Sequence, residues 1–66
     1  MRIEIIVKQI RKEKNMSLSE LSKKSGISTT HINDVENNLK SPSLLVAVLL
    51  AKALNINITE IYKIYY

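Results

Sequence analysis

The sequence contains no cysteine, no tryptophan and no phenylalanine, and has one glycine, one proline and one histidine in 66 residues. Without cysteine there is no disulfide framework, and a single histidine, His31, makes no structural zinc site. One glycine and one proline are too few turn formers for a multi-stranded barrel of this length, while 45% hydrophobic residues is too apolar for a disordered chain. The longest apolar run, Leu44 to Ala51, falls far short of the roughly 20 residues that cross a bilayer, and it lies mid-chain, where no signal peptide sits. These absences leave a single helical domain over residues 1–66, expected to be soluble and cytoplasmic and to carry neither metal nor cofactor.

A chain this short buries only about 60% of the surface that its unfolded form exposes, so helix packing or oligomerisation must stabilise it. Its formal net charge of +4 is local. Residues 1–24 hold Arg2, Lys8, Arg11, Lys12, Lys14, Lys23 and Lys24 against Glu4, Glu13 and Glu20, which is already +4, and the remainder is close to neutral. One basic surface on a chain of pI near 9.6 suits a polyanion, although a lysine-rich face also serves as plain solvated surface.

Five helices fit the punctuation. The first runs from about Glu4 to Lys14, with Ile3, Val7 and Ile10 at helical spacing, and stops at Asn15. Ser17 with Glu20 forms a capping box that starts the second helix at Leu18, and Gly26 ends it. Ser28 caps the third, which turns Ile32 and Val35 inward and centres Thr30, Asn33 and Asn37 on the opposite face. Thr29 and Asp34 flank that face, and His31 and Glu36 lie at the borders of the buried stripe. Asn37-Asn38 closes this helix. Ser43 caps a fourth, running to about Leu54, and Asn57 with Glu60 opens a last one to about Tyr65.

Two short helices joined by a tight glycine-containing turn form a helix-turn-helix unit, and here the second of them presents small hydrogen-bonding side chains outward. The B-DNA major groove, about 12 Å wide, admits one such helix. The stretch LSELSKKSGISTTHINDVENNLKSPSLLVAVLLAKALNINITEIY resembles the helix-turn-helix family of phage repressors, Cro proteins and xenobiotic-response-type regulators. With the IRKEKNMS segment before it, the likeness runs from about Val7 to Tyr62. It rests on Glu20-Leu21, Gly26-Ile27-Ser28, Ile32, Val35-Glu36-Asn37 and Pro42-Ser43-Leu44.

The resemblance implies a compact all-α five-helix bundle of the lambda-repressor-like type. It would bind double-stranded DNA, usually as a homodimer, with the third helix in the major groove. By position it assigns Thr29, Thr30, Asn33 and Asp34 to base reading, Ser28, Asn37 and Lys40 to phosphate, and Arg11 with Glu36 to an ion pair between the first helix and the end of the third. The sequence departs from the family in three places. Leu18 stands where a phosphate-binding glutamine is common, and Asn38 replaces the usual glycine, which reads as a small change. Asp34 puts a carboxylate near phosphates, where it needs a donor such as a cytosine amino group.

No enzyme is expected, because the serines occupy caps and no histidine–acid pair stands ready to activate one. The alternative reading is a protein-interaction module, antitoxin-like or accessory, with weak or secondary DNA binding. Assembly is read from the fourth helix, where Leu44, Ala47, Val48, Leu50, Ala51 and Leu54 form an inward arc. Leu45 and Leu49, with Val46 and Ala53 beside them, are left on the other side. Candidate covers for that second face are the same surface of another subunit, Ile5 and Ile6, or Ile64, Tyr65 and Tyr66. A two-fold homodimer through Leu45, Val46, Leu49, Ala53, Tyr65 and Tyr66 would set two recognition helices roughly 34 Å apart. No membrane or small-molecule partner is expected.

Overall fold

The computed structural model describes residues 1–66. A strand, β1 (Arg2–Ile5), leads into four α-helices: α1 (Val7–Glu13), α2 (Leu18–Ser25), α3 (Thr29–Glu36) and α4 (Leu44–Leu54). A single 3-10 turn (Ile58–Ile61) and a second strand, β2 (Tyr62–Tyr65), complete the chain. The helix boundaries inside the molecule follow the caps. Ser17 and Glu20 exchange their capping-box bonds, Ser28 Oγ accepts from the His31 N–H at 3.2 Å, and Ser43 Oγ accepts from the Val46 N–H at 3.2 Å.

The five-helix expectation is corrected at both ends. Residues 2–5 and 62–65 are not helical; they form a two-stranded antiparallel ribbon in which Arg2 pairs with Tyr65, Ile3 with Ile64, Glu4 with Lys63 and Ile5 with Tyr62. The alternation Arg-Ile-Glu-Ile has a period of two, so it satisfies a strand as well as Ile3, Val7 and Ile10 satisfy a helix. The pairing gives the ribbon an apolar face of Ile3, Ile5, Tyr62 and Ile64. On the other face the Arg2 guanidinium lies 4.3 Å from the Tyr65 ring centre and Lys63 Nζ lies 5.5 Å from it. The last capping box does form, with Asn57 N–H donating to Glu60 at 2.7 Å, but it opens one 3-10 turn rather than a helix.

The core collects Ile5, Val7, Leu21, Ile27, Ile32, Val35, Ala47, Leu50, Ala51, Leu54 and Ile61, from every element except β2, whose half-buried Tyr62 packs against it. α4 packs against α1, α2 and the 3-10 turn. Its orientation also differs from the sequence reading. Ala47, Leu50, Ala51 and Leu54 are buried as expected, but Leu44 is 74% exposed and Val48 43%. Val46, Leu49 and Ala53, assigned to the outer face, instead pack against the core with part of their surface still open. The outward stripe of α4 is therefore Leu44, Leu45 and Val48.

Candidate nucleic-acid interface

The turn between α2 and α3 is fixed by three serines and one glycine. Gly26 closes α2 at φ 75°, a conformation that side chains disfavour, and its N–H donates to the Ser22 carbonyl at 2.9 Å. The Ser22 hydroxyl donates to the Ile27 carbonyl at 2.6 Å, and the Ile27 N–H donates to Ser25 Oγ at 3.2 Å. Ser22 and Ser25 thus satisfy both backbone groups of the buried Ile27 within the bend, a role that the cap-based sequence reading missed. The density of serine and glycine in Ser22–Ser28 was the available signal.

α3 is anchored on one side by Ile32 and Val35, both fully buried. Thr29, Thr30 and Asn33 are exposed on the other, and Asn37 Nδ2 donates to Asn33 Oδ1 at 3.2 Å. Asp34 is half-buried, and its carboxylate stands 3.5 Å from Lys40 Nζ. The carboxylate that looked misplaced beside a polyanion is thereby partly neutralised by the lysine six positions on. Ser28, Asn37 and Lys40 are exposed around the two ends of α3, Leu18 is half-buried at the start of α2, and His31 lies at the border of the buried stripe. The lysines at positions 8, 12, 14, 23 and 24 are all exposed.

The end of α3 is tied to α1. Arg11 Nε donates to Glu36 at 2.7 Å and a second guanidinium nitrogen donates to the other carboxylate oxygen at 3.2 Å, while the third reaches the Met16 carbonyl at 3.0 Å. The two side chains are 11% and 2% exposed. The Arg11 pKa is raised above its ordinary value, first by the hydrogen bond to Glu36 and further by that carboxylate's charge, with desolvation opposing. The Met16 contact was invisible in the sequence. It makes one arginine the junction of α1, the α1–α2 loop and α3.

Such an arrangement holds a short polar helix face rigidly in solvent, with backbone amides at two helix N-termini close by. Residues 7–61 match the model of the helix-turn-helix family, Cro/C1 type. The chain belongs to that family. Among curated helix-turn-helix proteins, the HTH-type transcriptional regulator SinR of Bacillus subtilis is 36% identical over 53 residues, which is 79% of this chain and 48% of SinR. This chain therefore spans about half the length of the curated relatives it matches. Among solved structures, the restriction-modification controller protein C.AhdI from Aeromonas hydrophila superposes with a TM-score of 0.80 at 29% identity, covering 83% of both chains. SinR, the master regulator for biofilm formation, solved in complex with DNA, superposes with a TM-score of 0.77 at 34% identity over 83% of this chain and 89% of that one. No helix of this family member is long and apolar enough to cross a membrane.

Proposed function

We propose that this domain is a sequence-specific double-stranded DNA-binding transcriptional regulator, a repressor that acts by occupying its site in the cytoplasm without catalysing a reaction. The observation that carries the reading is α3 itself: fully buried at Ile32 and Val35, clamped by Glu36, and outwardly polar at Thr29, Thr30 and Asn33. In the major groove, Thr29, Thr30 and Asn33 meet base edges, and Asp34 accepts from a cytosine amino group while Lys40 screens its charge from the phosphates. Ser28, Asn37 and Lys40 contact the backbone and fix the register. With no arginine on this face, the readout relies on asparagine to adenine, threonine to thymine methyl, and DNA shape. That the relative SinR has been solved in complex with DNA supports the DNA-binding reading.

The regulator acts as a homodimer. The exposed stripe Leu44, Leu45 and Val48 on α4 is the surface that a second copy covers, and Tyr65 and Tyr66, also exposed, are further apolar surface open to a partner. Selection of bound fragments from random duplex DNA, followed by salt titration on the best fragment, tests the reading. The expected result is one enriched near-palindromic motif and a log–log salt slope of about −0.9 per phosphate contacted. No enrichment, or affinity indifferent to salt, sinks it.

A further inference from the structure

Asn38 does something here that a glycine in its place would not. It lies two residues beyond α3 in the left-handed conformation, φ 56°, with its N–H donating to the Val35 carbonyl at 3.1 Å. Its side-chain Oδ1 accepts a hydrogen bond from the Ile5 N–H at 3.2 Å, across 33 residues of sequence. The ribbon leaves that N–H without a ladder partner. The bond from the Ile6 N–H to the Ile61 carbonyl at 2.9 Å marks Ile6 and Ile61 as a hydrogen-bonded pair, in the same register as the ribbon. Hydrogen-bonded and non-hydrogen-bonded pairs alternate, so the Ile5 N–H points out of the β1 edge that faces away from β2. Ile5 is only 8% exposed, so water is a poor substitute for the amide.

We propose that Asn38 is a positioning residue through which the terminal ribbon holds the exit of α3, and with it Lys40, in the arrangement that meets DNA. The inference rests on the DNA-binding reading above. The exit of α3 is gripped twice. Glu36 fastens it to α1 by charge, and Asn38 fastens it to β1 by a neutral hydrogen bond. Beyond Asn38 the chain turns back, with the Leu39 N–H donating to the Asp34 carbonyl at 2.9 Å and Lys40 reaching the Asp34 carboxylate. Lys40 therefore stands on a loop whose near end is set by β1, and β1 keeps its place by pairing with β2. Residues of the ribbon thus govern the phosphate contact assigned to Lys40. The small change read from the sequence at Asn38 is instead a specific fastening.

Asn38→Gly tests this in the full chain, because glycine keeps the left-handed backbone and removes only the acceptor. In that variant the Ile5 amide is expected to exchange with solvent at least about tenfold faster, with the helical signal unchanged. Affinity for the selected duplex is expected to fall about fivefold, the preferred motif to stay the same, and the salt slope to drop by about one. Adding Lys40→Ala to Asn38→Gly is expected to cost little more than either change alone, as it should if both act on one contact. Asn38→Asp retains the acceptor and is expected to restore slow exchange at Ile5. Unchanged Ile5 exchange in Asn38→Gly overturns the fastening. Fast Ile5 exchange with wild-type affinity and slope, or full additivity with Lys40→Ala, overturns the positioning role. A wild-type chain that selects no duplex DNA overturns the functional reading itself, and the positioning role falls with it.

Discussion

Glu36 closes the last turn of α3 onto Arg11 of α1 through two hydrogen bonds, 2.7 and 3.2 Å long, with the carboxylate side chain 2% exposed. Removing one member of such a pair strands a desolvated charge, whereas removing both replaces two desolvation costs with apolar contact. Glu36→Ala is therefore expected to cost about 3 kcal/mol, a large share of the stability of a domain this small. The double variant Arg11→Met with Glu36→Leu is expected to lose less than Glu36→Ala alone, read by urea midpoints at constant m. Folding raises the Arg11 pKa, so its contribution is complete below the unfolded arginine pKa and is lost only as pH rises through the still higher folded value. The arginine side of the pair accordingly adds no pH dependence near neutrality.

Specificity and affinity are expected to separate along α3. Asn33→Ala should alter the selected motif or cost about 1–3 kcal/mol on the best site. Lys40→Ala should weaken binding to every sequence alike. Fragment selection with the two variants side by side checks this, and identical motifs for wild type and Asn33→Ala would remove that residue from base reading.

On α4, assembly and stability are expected to answer to different leucines. Leu45 is 68% exposed and Leu50 is fully buried. Leu45→Lys should leave the thermal midpoint of the monomer nearly unchanged while converting dimers to monomers in sedimentation and weakening binding to a two-half-site duplex. Leu50→Ala should do the reverse, losing about 2–4 kcal/mol with assembly intact once folded. A Leu45→Lys chain that still sediments as a dimer would move the interface elsewhere.

Gly26 offers a clean separation of backbone strain from packing. A Cβ added there would meet nothing within 4 Å, yet φ is 75°. Gly26→Ala is expected to cost about 1 kcal/mol from conformation alone, with no change in the DNA motif. A loss of several kcal/mol in thermal melts would mean that the turn carries contacts beyond the serine bonds described.

What was legible in the sequence was local. Ser17 with Glu20, Gly26, Ser28 and Ser43 mark helix ends through partners a few residues away, so the boundaries of α2 and α3 and the start of α4 could be read directly. The ribbon could not, because β1 finds its partner at the opposite end of the chain and the spacing of Ile3, Val7 and Ile10 satisfied a helical template on its own. The facing of α4 was equally hidden: Leu44–Leu54 is apolar at every position except Lys52, and a pattern with one polar residue has almost no phase. In the candidate interface, the outward face of α3 was readable because Ile32 and Val35 give it a phase. The family resemblance, not any spacing, pointed to Glu36 as the partner of Arg11, whereas the Ile5 N–H that Asn38 accepts from and the Met16 carbonyl that Arg11 reaches are backbone groups that no side-chain pattern announces.

The ribbon has a kinetic meaning as well. Its strands join residues 2–5 to residues 62–65, so its pairing closes a loop that contains every helix. Closure entropy for so long an unstructured loop exceeds what a few ladder bonds return, and an isolated hairpin of this length is marginal even with a tight turn. The strands can meet only after the helices have packed and brought them together, so folding runs from local to long-range contacts and the ribbon forms last. By the same reasoning it is the first part to open in native conditions, at a free energy below that of global unfolding, while α2, α3 and α4 remain assembled.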